Sequence, residues 1–339
     1  MSTWTDPELR ELFLRRTPLV DVRAPVEFAD GAIPFSVNLP IMTDEERACV
    51  GTTYKERGQE AAIQLGHELV SGSVKAERIR RWCEFLRENP AAEVFCFRGG
   101  LRSQISCQWI REQGLEKRPI PGGYKRLRKF LLSWLDEAPL PPLVRIGGLT
   151  GSGKTRLLEP AGPHLDLEGL ANHRGSAFGP RGEQPAQITF ENQIALRLLE
   201  TNGARLVIED ESVTLGRLAV PRRFFAHLRN SPLVILEVSE EERISNIFSD
   251  YVKDAPAEFF LTNLRRIERK LGATKTGLLA DEIQRAFAQG PELRRHETWI
   301  RTLLHEYYDP LYGKDLRQNQ DRVVFRGSAK DVLAYLRSS

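Results

Sequence analysis

Residues 148–155 read GLTGSGKT, a full match to G-x-x-x-x-G-K-[ST], and the apolar run Leu143–Gly147 stands directly before them. No other stretch limits the fold as tightly. A strand must run into a glycine loop and then a helix, because only that order makes backbone N–H groups converge on a phosphate. Gly148, Gly151, Ser152 and Gly153 form the wrapping loop, Lys154 reaches terminal phosphate oxygens, and the Thr155 hydroxyl is placed for Mg²⁺. In such a domain a second strand lies beside the first and directs an acid to the metal. Ala204–Ser212, ARLVIEDES, has that form. Glu209, Asp210 and Glu211 all fit the role, and spacing does not choose among them.

A second site is written around VFCFRGGLRS, residues 94–103. Apolar and aromatic positions flank Cys96, a Gly-Gly pair follows, and SQISCQWIREQGL reads as a helix. Strand, tight turn and helix start place the Cys96 thiol at a loop mouth, with Arg98 and Arg102 beside it. A free thiol has a pKa of about 8.5, and such surroundings bring it to ~3.5–7.5. The expectation is a nucleophilic sulfur in an anion pocket made by Arg98, Gly99, Gly100, Arg102 and Ser103.

Net charge is only +3, with 49 Lys and Arg against 46 Asp and Glu, so nucleic-acid binding must come from local clustering. Arg98–Lys129 holds nine cationic residues against Glu112 and Glu116, a net +7. Lys125, Arg126, Arg128 and Lys129 are its densest part and the expected grip on RNA phosphates. The four cysteines are too few and too scattered for a disulfide framework or a paired zinc site, so reduced thiols and a cytoplasmic setting are expected. Cys83 and Cys107 read as core residues. The first residues, MSTWTDPELRELFLRR, lack an apolar signal region, and no run approaches a membrane span.

Before the cysteine stretch, TPLVDVRAPV and GAIPFSVNLP read as strands, residues 43–70 as a helix interrupted at VGTTYKERG, and residues 74–88 as an amphipathic helix. The polar, proline-rich run DEAPLPP (136–142) marks the domain boundary, giving domains 1–138 and 139–339. Beyond the phosphate loop, DLEGLANHRGSAFG (166–179) is too polar and glycine-rich for core. His173, Arg174 and Ser176 within it suggest substrate contacts. From Ser239 onward the pattern is mainly helical, with a last strand at 323–325.

The two motifs, their order and the segments DVRAPVEFADGAIPFSVNLP, DEERACVGTTYKERGQEAA, CFRGGLRSQ, PGGYKRLRKF, LANHRGSAFG, FENQIALRLL and YYDPLY together resemble the bacterial tRNA 2-selenouridine synthase family. The resemblance implies an α/β chain: an N-terminal rhodanese-like parallel-sheet domain and a P-loop α/β domain with a helical C-terminal part. It implies Cys96 as the chalcogen-handling residue and selenophosphate and geranyl diphosphate as substrates. The reaction it implies replaces sulfur by selenium at C2 of wobble 2-thiouridine. The tRNA anticodon arm becomes a partner, as does a selenophosphate-supplying enzyme; no membrane and no structural metal are expected. Trp109, Tyr124 and Tyr307 are candidates to stack on the base. Two other readings compete. C-x₅-R (Cys96, Arg102) is also the spacing of cysteine phosphatases, here fused to a small-molecule kinase, although Phe95 stands where those enzymes carry His. A non-catalytic tRNA-binding module predicts no effect of Cys96→Ala on any activity.

Overall fold

The computed structural model describes residues 4–338. They form two compact α/β units: residues 4–139 joined by Pro185–Glu200, and Leu140–Gln184 with residues 201–338. The first crossing falls in the proline-rich run, next to the expected boundary. The division is not linear, however, because the helix Gln187–Thr201 lies almost wholly in the first unit.

In the first unit, β1 (Leu19–Asp21), β2 (Ser36–Asn38) and β3 (Glu93–Phe95) form a parallel sheet in the order β2-β1-β3. β1 is buried along its whole length, as a central parallel strand covered on both faces should be. Val20, Val94, Trp82 and Leu86 pack in one apolar cluster, which also takes in Cys107. Pro25, near the end of the run TPLVDVRAPV, begins a short helix, Pro25–Ala29, where the strand has already ended. That use fits its fixed φ and missing N–H at a first helical position. The helix Gly72–Glu88 buries Trp82, Cys83 and Leu86 as expected, while Val74 at its first turn stays exposed.

In the second unit, β4 (Leu143–Gly147), β5 (His164–Leu165), β6 (Leu206–Glu209), β9 (Leu233–Leu236) and β10 (Val323–Gly327) form a parallel sheet in the order β10-β9-β4-β6-β5. A small antiparallel pair, β7 (Thr214–Leu215) and β8 (Leu218–Ala219), stands apart from it. β4 and β6 are adjacent, so the glycine loop after one and the acids after the other emerge at the same sheet edge. The stretch 166–179 is not the solvated loop its composition suggests. It contains a helix, Leu167–Ala171, capped by Asp166, and Leu167, Ala171 and Phe178 are buried. A mostly helical cluster around Phe260, Trp299 and Leu304 completes this unit's core. Among the described residues, no helix is long and apolar enough to cross a membrane.

Candidate active site

Cys96 follows β3, and the helix Leu101–Arg111 begins five residues later. No side chain caps that helix, so the N–H groups of its first turn are left for a ligand. The loop between is held by the PGGY turn. Tyr124 donates its backbone N–H to Cys96 O at 2.8 Å, and Lys125 donates to Phe97 O at 3.1 Å. Gly123 has φ +52°, and a Cβ there would collide with Cys96 O and stand 2.6 Å from Gly99 N. The DVR stretch supports the turn from behind. Arg23 pairs with Asp21 at 2.6 Å, and its guanidinium lies 3.8 Å from the centre of the Tyr124 ring, which stacks on Phe97.

The thiol does not stand open at the loop mouth as expected. Cys96 is 3% exposed and belongs to the apolar cluster under the sheet. Its Sγ lies 3.1 Å from Ser103 Oγ and 3.8 Å from Gly100 O, which draw it under the helix end. Arg102 is also placed differently from expectation: its guanidinium pairs with Glu27, which Arg47 also contacts at 3.1 Å. Burial alone would raise Glu27, but the pair with Arg102 outweighs it and holds the carboxyl below its ordinary range. Arg98 is exposed, Gly99 (φ +67°) closes against Ile120 O, and Ser103 is buried. Cys107 is fully buried, and burial pushes its thiol up to about 12, which suits packing and not exchange.

The basic helix Gly123–Asp136 divides into two kinds of cation. Lys125 and Lys129 are exposed. Arg126 is engaged by Asp6, and Arg128 by Glu191 and Asn192, so both arginines spend their charge within their own unit. Trp109 and Tyr124 are buried, as core residues would be, whereas Tyr307 is half-buried and lines a cavity in the second unit.

That cavity, about 780 Å³, is built over the glycine loop. Gly151 (φ +84°) and Gly153 (φ +82°) give the loop its left-handed turns, and Lys154 Nζ rests 3.1 Å from Gly148 O. The helix Glu240–Ile247 props the loop: Arg243 Nε donates to Thr150 O at 2.9 Å and Asn246 Nδ2 to Gly151 O at 2.9 Å. A Cβ at Gly151 would stand 2.8 Å from Arg243 O, so the close approach requires glycine. Ser152 is buried beneath the loop, its hydroxyl 2.7 Å from where a Gly148 Cβ would stand. The other wall comes from two π-helical turns, Phe248–Val252 and Leu304–Tyr308, which bring Tyr251, Tyr307 and Tyr308 to the cavity.

The three acids after β6 separate by role. Asp210 turns to Arg145 at 2.7 Å and Arg229 at 3.2 Å, and Arg145 is fully buried. It is a structural counter-charge, although it reaches the cavity lining. Glu209 and Glu211 meet Glu168, and the three offer oxygens all within 4.8 Å of one another. Glu209 Oε1 is buried with no hydrogen-bond partner. Burial first, then the Glu168 charge, push Glu209 up to about 7, against the pull of Lys154 and Thr155. Burial, Glu168 and Glu209 raise Glu211 well above its ordinary range. An oxygen cluster that is hard to ionise without a cation, beside the Thr155 hydroxyl, fits a hard divalent ion such as Mg²⁺.

Glu168 was not singled out by sequence. Its signal is the acidic position two residues after the Asp166 cap, and Gly175 N also donates to it at 2.6 Å. Arg174 and Ser176 line the cavity, with Arg174 4.2 Å from the Tyr251 ring centre. His173 does not join them. It is buried beside Gly179 and Gly216, and burial lowers its pKa, so it packs the loop from inside.

A phosphate loop backed by a carboxylate cluster defines the second unit as a P-loop α/β domain, joined in one chain to a unit with a cysteine at a strand–turn–helix junction. The family model for the tRNA 2-selenouridine synthase AAA domain matches residues 141–339. Proteins called tRNA 2-selenouridine synthase match almost end to end. The one from Shewanella sp. (strain MR-7) is 42% identical, covering 95% of this chain and 94% of its own. That of Azotobacter vinelandii is 45% identical (96% and 95%), and that of Nitrosomonas europaea 41% (98% and 97%). The chain belongs to the tRNA 2-selenouridine synthase family.

Proposed function

We propose that the chain replaces the C2 sulfur of wobble 2-thiouridine in tRNA by selenium from selenophosphate, by way of an S-geranyl base made from geranyl diphosphate. The observation that supports this most is that one chain of this family carries both a helix start without a side-chain cap beside Cys96 and a glycine loop of phosphate-binding sequence, two places where an anion would be held. In the first step the thiocarbonyl sulfur attacks C1 of geranyl diphosphate. The C–O bond breaks, diphosphate leaves with the electron pair, and the base gives up its N3 proton. Lys154 and the loop N–H groups hold the departing diphosphate, electrostatic work that consumes no ATP. Thr155, Glu209, Glu211 and Glu168 would hold Mg²⁺, which neutralises diphosphate charge when bound.

In the second step selenium of selenophosphate adds at C2, the C2–S bond breaks, and geranylthiolate departs and takes a proton. Water then cleaves the Se–P bond and releases phosphate. The helix end after Gly100, with Ser103 against the Cys96 sulfur, positions the selenium donor. Lys125 and Lys129 are the cations best placed to meet RNA phosphates, because Arg126 and Arg128 are engaged internally. The activity belongs in the cytoplasm, where thiolated tRNA and reduced selenium coexist, supplied by a selenophosphate-forming enzyme.

Mass analysis of tRNA nucleosides after incubation with selenophosphate and geranyl diphosphate, separately and together, tests the sequence. Geranyl diphosphate alone should give the S-geranyl nucleoside, and both together 2-selenouridine. Lys154→Ala should lose at least tenfold in geranylation. Cys96→Ser should block selenium entry and spare geranylation. Selenouridine formed at full rate without any prenyl donor overturns the two-step route.

A further inference from the structure

The stretch VGTTYKERG has no part in either anion site, yet it builds the wall of a cleft of about 910 Å³ in the first unit. The long helix Asp44–Leu69 breaks at Gly58, where φ is +84° and ψ −176°. Its two halves fold back on each other, so that a Cβ at Gly66 would stand 3.9 Å from Val50 Cγ2. Between these halves and the helix Leu101–Arg111 the cleft opens, lined by Ile41, Val50, Ile63, Val70, Ile105 and Trp109. Small residues keep it open: nothing lies within 4 Å of where a Gly51 Cβ would stand, and Ala62 forms part of the wall.

Two features say what fills it. The lining is apolar, but the rim carries Arg47, Lys55 and Arg102, of which Arg47 and Arg102 share the single carboxylate of Glu27. An apolar trough with a surplus of positive charge at its edge suits a hydrocarbon attached to a polyanion. The trough also borders the helix start that follows the cysteine loop, where Leu101 and Arg102 line it. Ile41, Val70 and Trp109 belong to the same apolar cluster as Cys96, and Arg102 precedes the Ser103 that touches its sulfur.

We infer that this cleft holds the hydrocarbon chain of an S-alkylated, RNA-borne base, keeping that base beside the Cys96 loop while the rim cations meet RNA phosphates. The inference rests on the prenylation step proposed above and gives it a second use: the chain that makes sulfur a leaving group also addresses the base to the selenium site. The helix break at Gly58 is then the hinge of the trough.

The test is binding of the full chain to two synthetic anticodon stem-loops, one carrying S-geranyl-2-thiouridine and the other S-methyl-2-thiouridine, by fluorescence anisotropy. The geranyl form should bind at least tenfold more tightly. Gly51→Trp, which fills open space, and Ile105→Asn, which makes one wall polar, should each bring the ratio to threefold or less, with melting temperatures checked alongside. Equal affinities in the unaltered chain overturn the inference, as does a ratio untouched by both substitutions. A concentration-dependent dimer that both substitutions disrupt, with no geranyl preference, would assign the cleft to a second copy and also overturn it. Both oligonucleotides are supplied already alkylated. A chain that prefers the geranyl form but makes none from geranyl diphosphate therefore refutes the proposed route and leaves the cleft standing; one that makes it without preferring it does the reverse.

Discussion

Cys107 and Cys96 lie on one helix turn and one loop, and burial separates them from the thiol that meets solvent, Cys49. A thiol raised to about 12 carries almost no thiolate near neutral pH, and its reactivity grows only as pH approaches that value. Brief iodoacetamide treatment of the native chain at pH 8, read by peptide mass spectrometry, should modify Cys49 and leave Cys107 and Cys83 intact; unfolding in urea should expose all. The acids after β6 allow a sharper division. Glu209→Gln removes an oxygen from the cluster without disturbing an ion pair, so it should abolish most of the melting-temperature rise given by Mg²⁺. Asp210→Asn instead leaves Arg145 buried without its counter-charge, which costs about 3–5 kcal/mol. It should lower the melting temperature equally with and without Mg²⁺. Equal behaviour of the two variants would remove the distinction. Sequence puts both acids at the strand end but does not separate them, because the partners that do so, Arg145 on a neighbouring strand and Glu168 on the helix Leu167–Ala171, are distant in the chain.

At the scale of elements, what the sequence makes legible is local: a buried strand, a glycine turn, an amphipathic helix. The order β4, loop, helix follows from one motif, and the Gly-Gly turn after Ile120 announces itself, though its role as the strut under Cys96 does not. The interruption in the long helix is legible as composition at VGTTYKERG, but only the structure narrows it to Gly58. The residues on either side, Arg57 and Gln59, continue the two halves. Gly58 is free of side-chain crowding, since nothing lies within 4 Å of a Cβ built there. Its requirement is therefore purely conformational. Gly58→Ala puts a Cβ in the left-handed region and should cost about 1–3 kcal/mol, or else straighten the helix and open the cleft. Circular dichroism melting reads the first outcome, and loss of the geranyl preference reads the second. The stretch 166–179 hides its buried positions from sequence because its apolar residues, Leu167, Ala171 and Phe178, are spread among glycines and charges. Periodicity detects a face only when the face is continuous.

For the molecule as a whole, the chain order suggests a cut after the proline-rich run, yet the first unit is finished by a helix that the chain supplies about fifty residues later. Gln187–Thr201 completes hydrogen bonds that residues 4–139 leave open. Ala32 N donates to Thr189 Oγ1 at 2.9 Å, and Asn192 Nδ2, fully buried, donates to Ala32 O at 2.7 Å. Arg128 donates to Asn192 Oδ1 at 2.6 Å and pairs with Glu191, and Arg16 reaches Glu200 at 2.9 Å. Each such hydrogen bond contributes about 0.5–1.5 kcal/mol net, and the helix also buries Phe190, Ile194 and Leu198, each apolar side chain being worth about 1.5–3 kcal/mol. Together these are a large part of the roughly 5–15 kcal/mol by which a domain is stable at all. A fragment ending at residue 139 should therefore lack a cooperative thermal transition by near-ultraviolet circular dichroism. Adding a synthetic peptide of residues 185–201 should restore one, and Asn192→Ala in that peptide should weaken the restoration. A fragment that melts cooperatively at the same temperature with and without the peptide would show that the sheet and its cysteine loop stand on the first 139 residues alone.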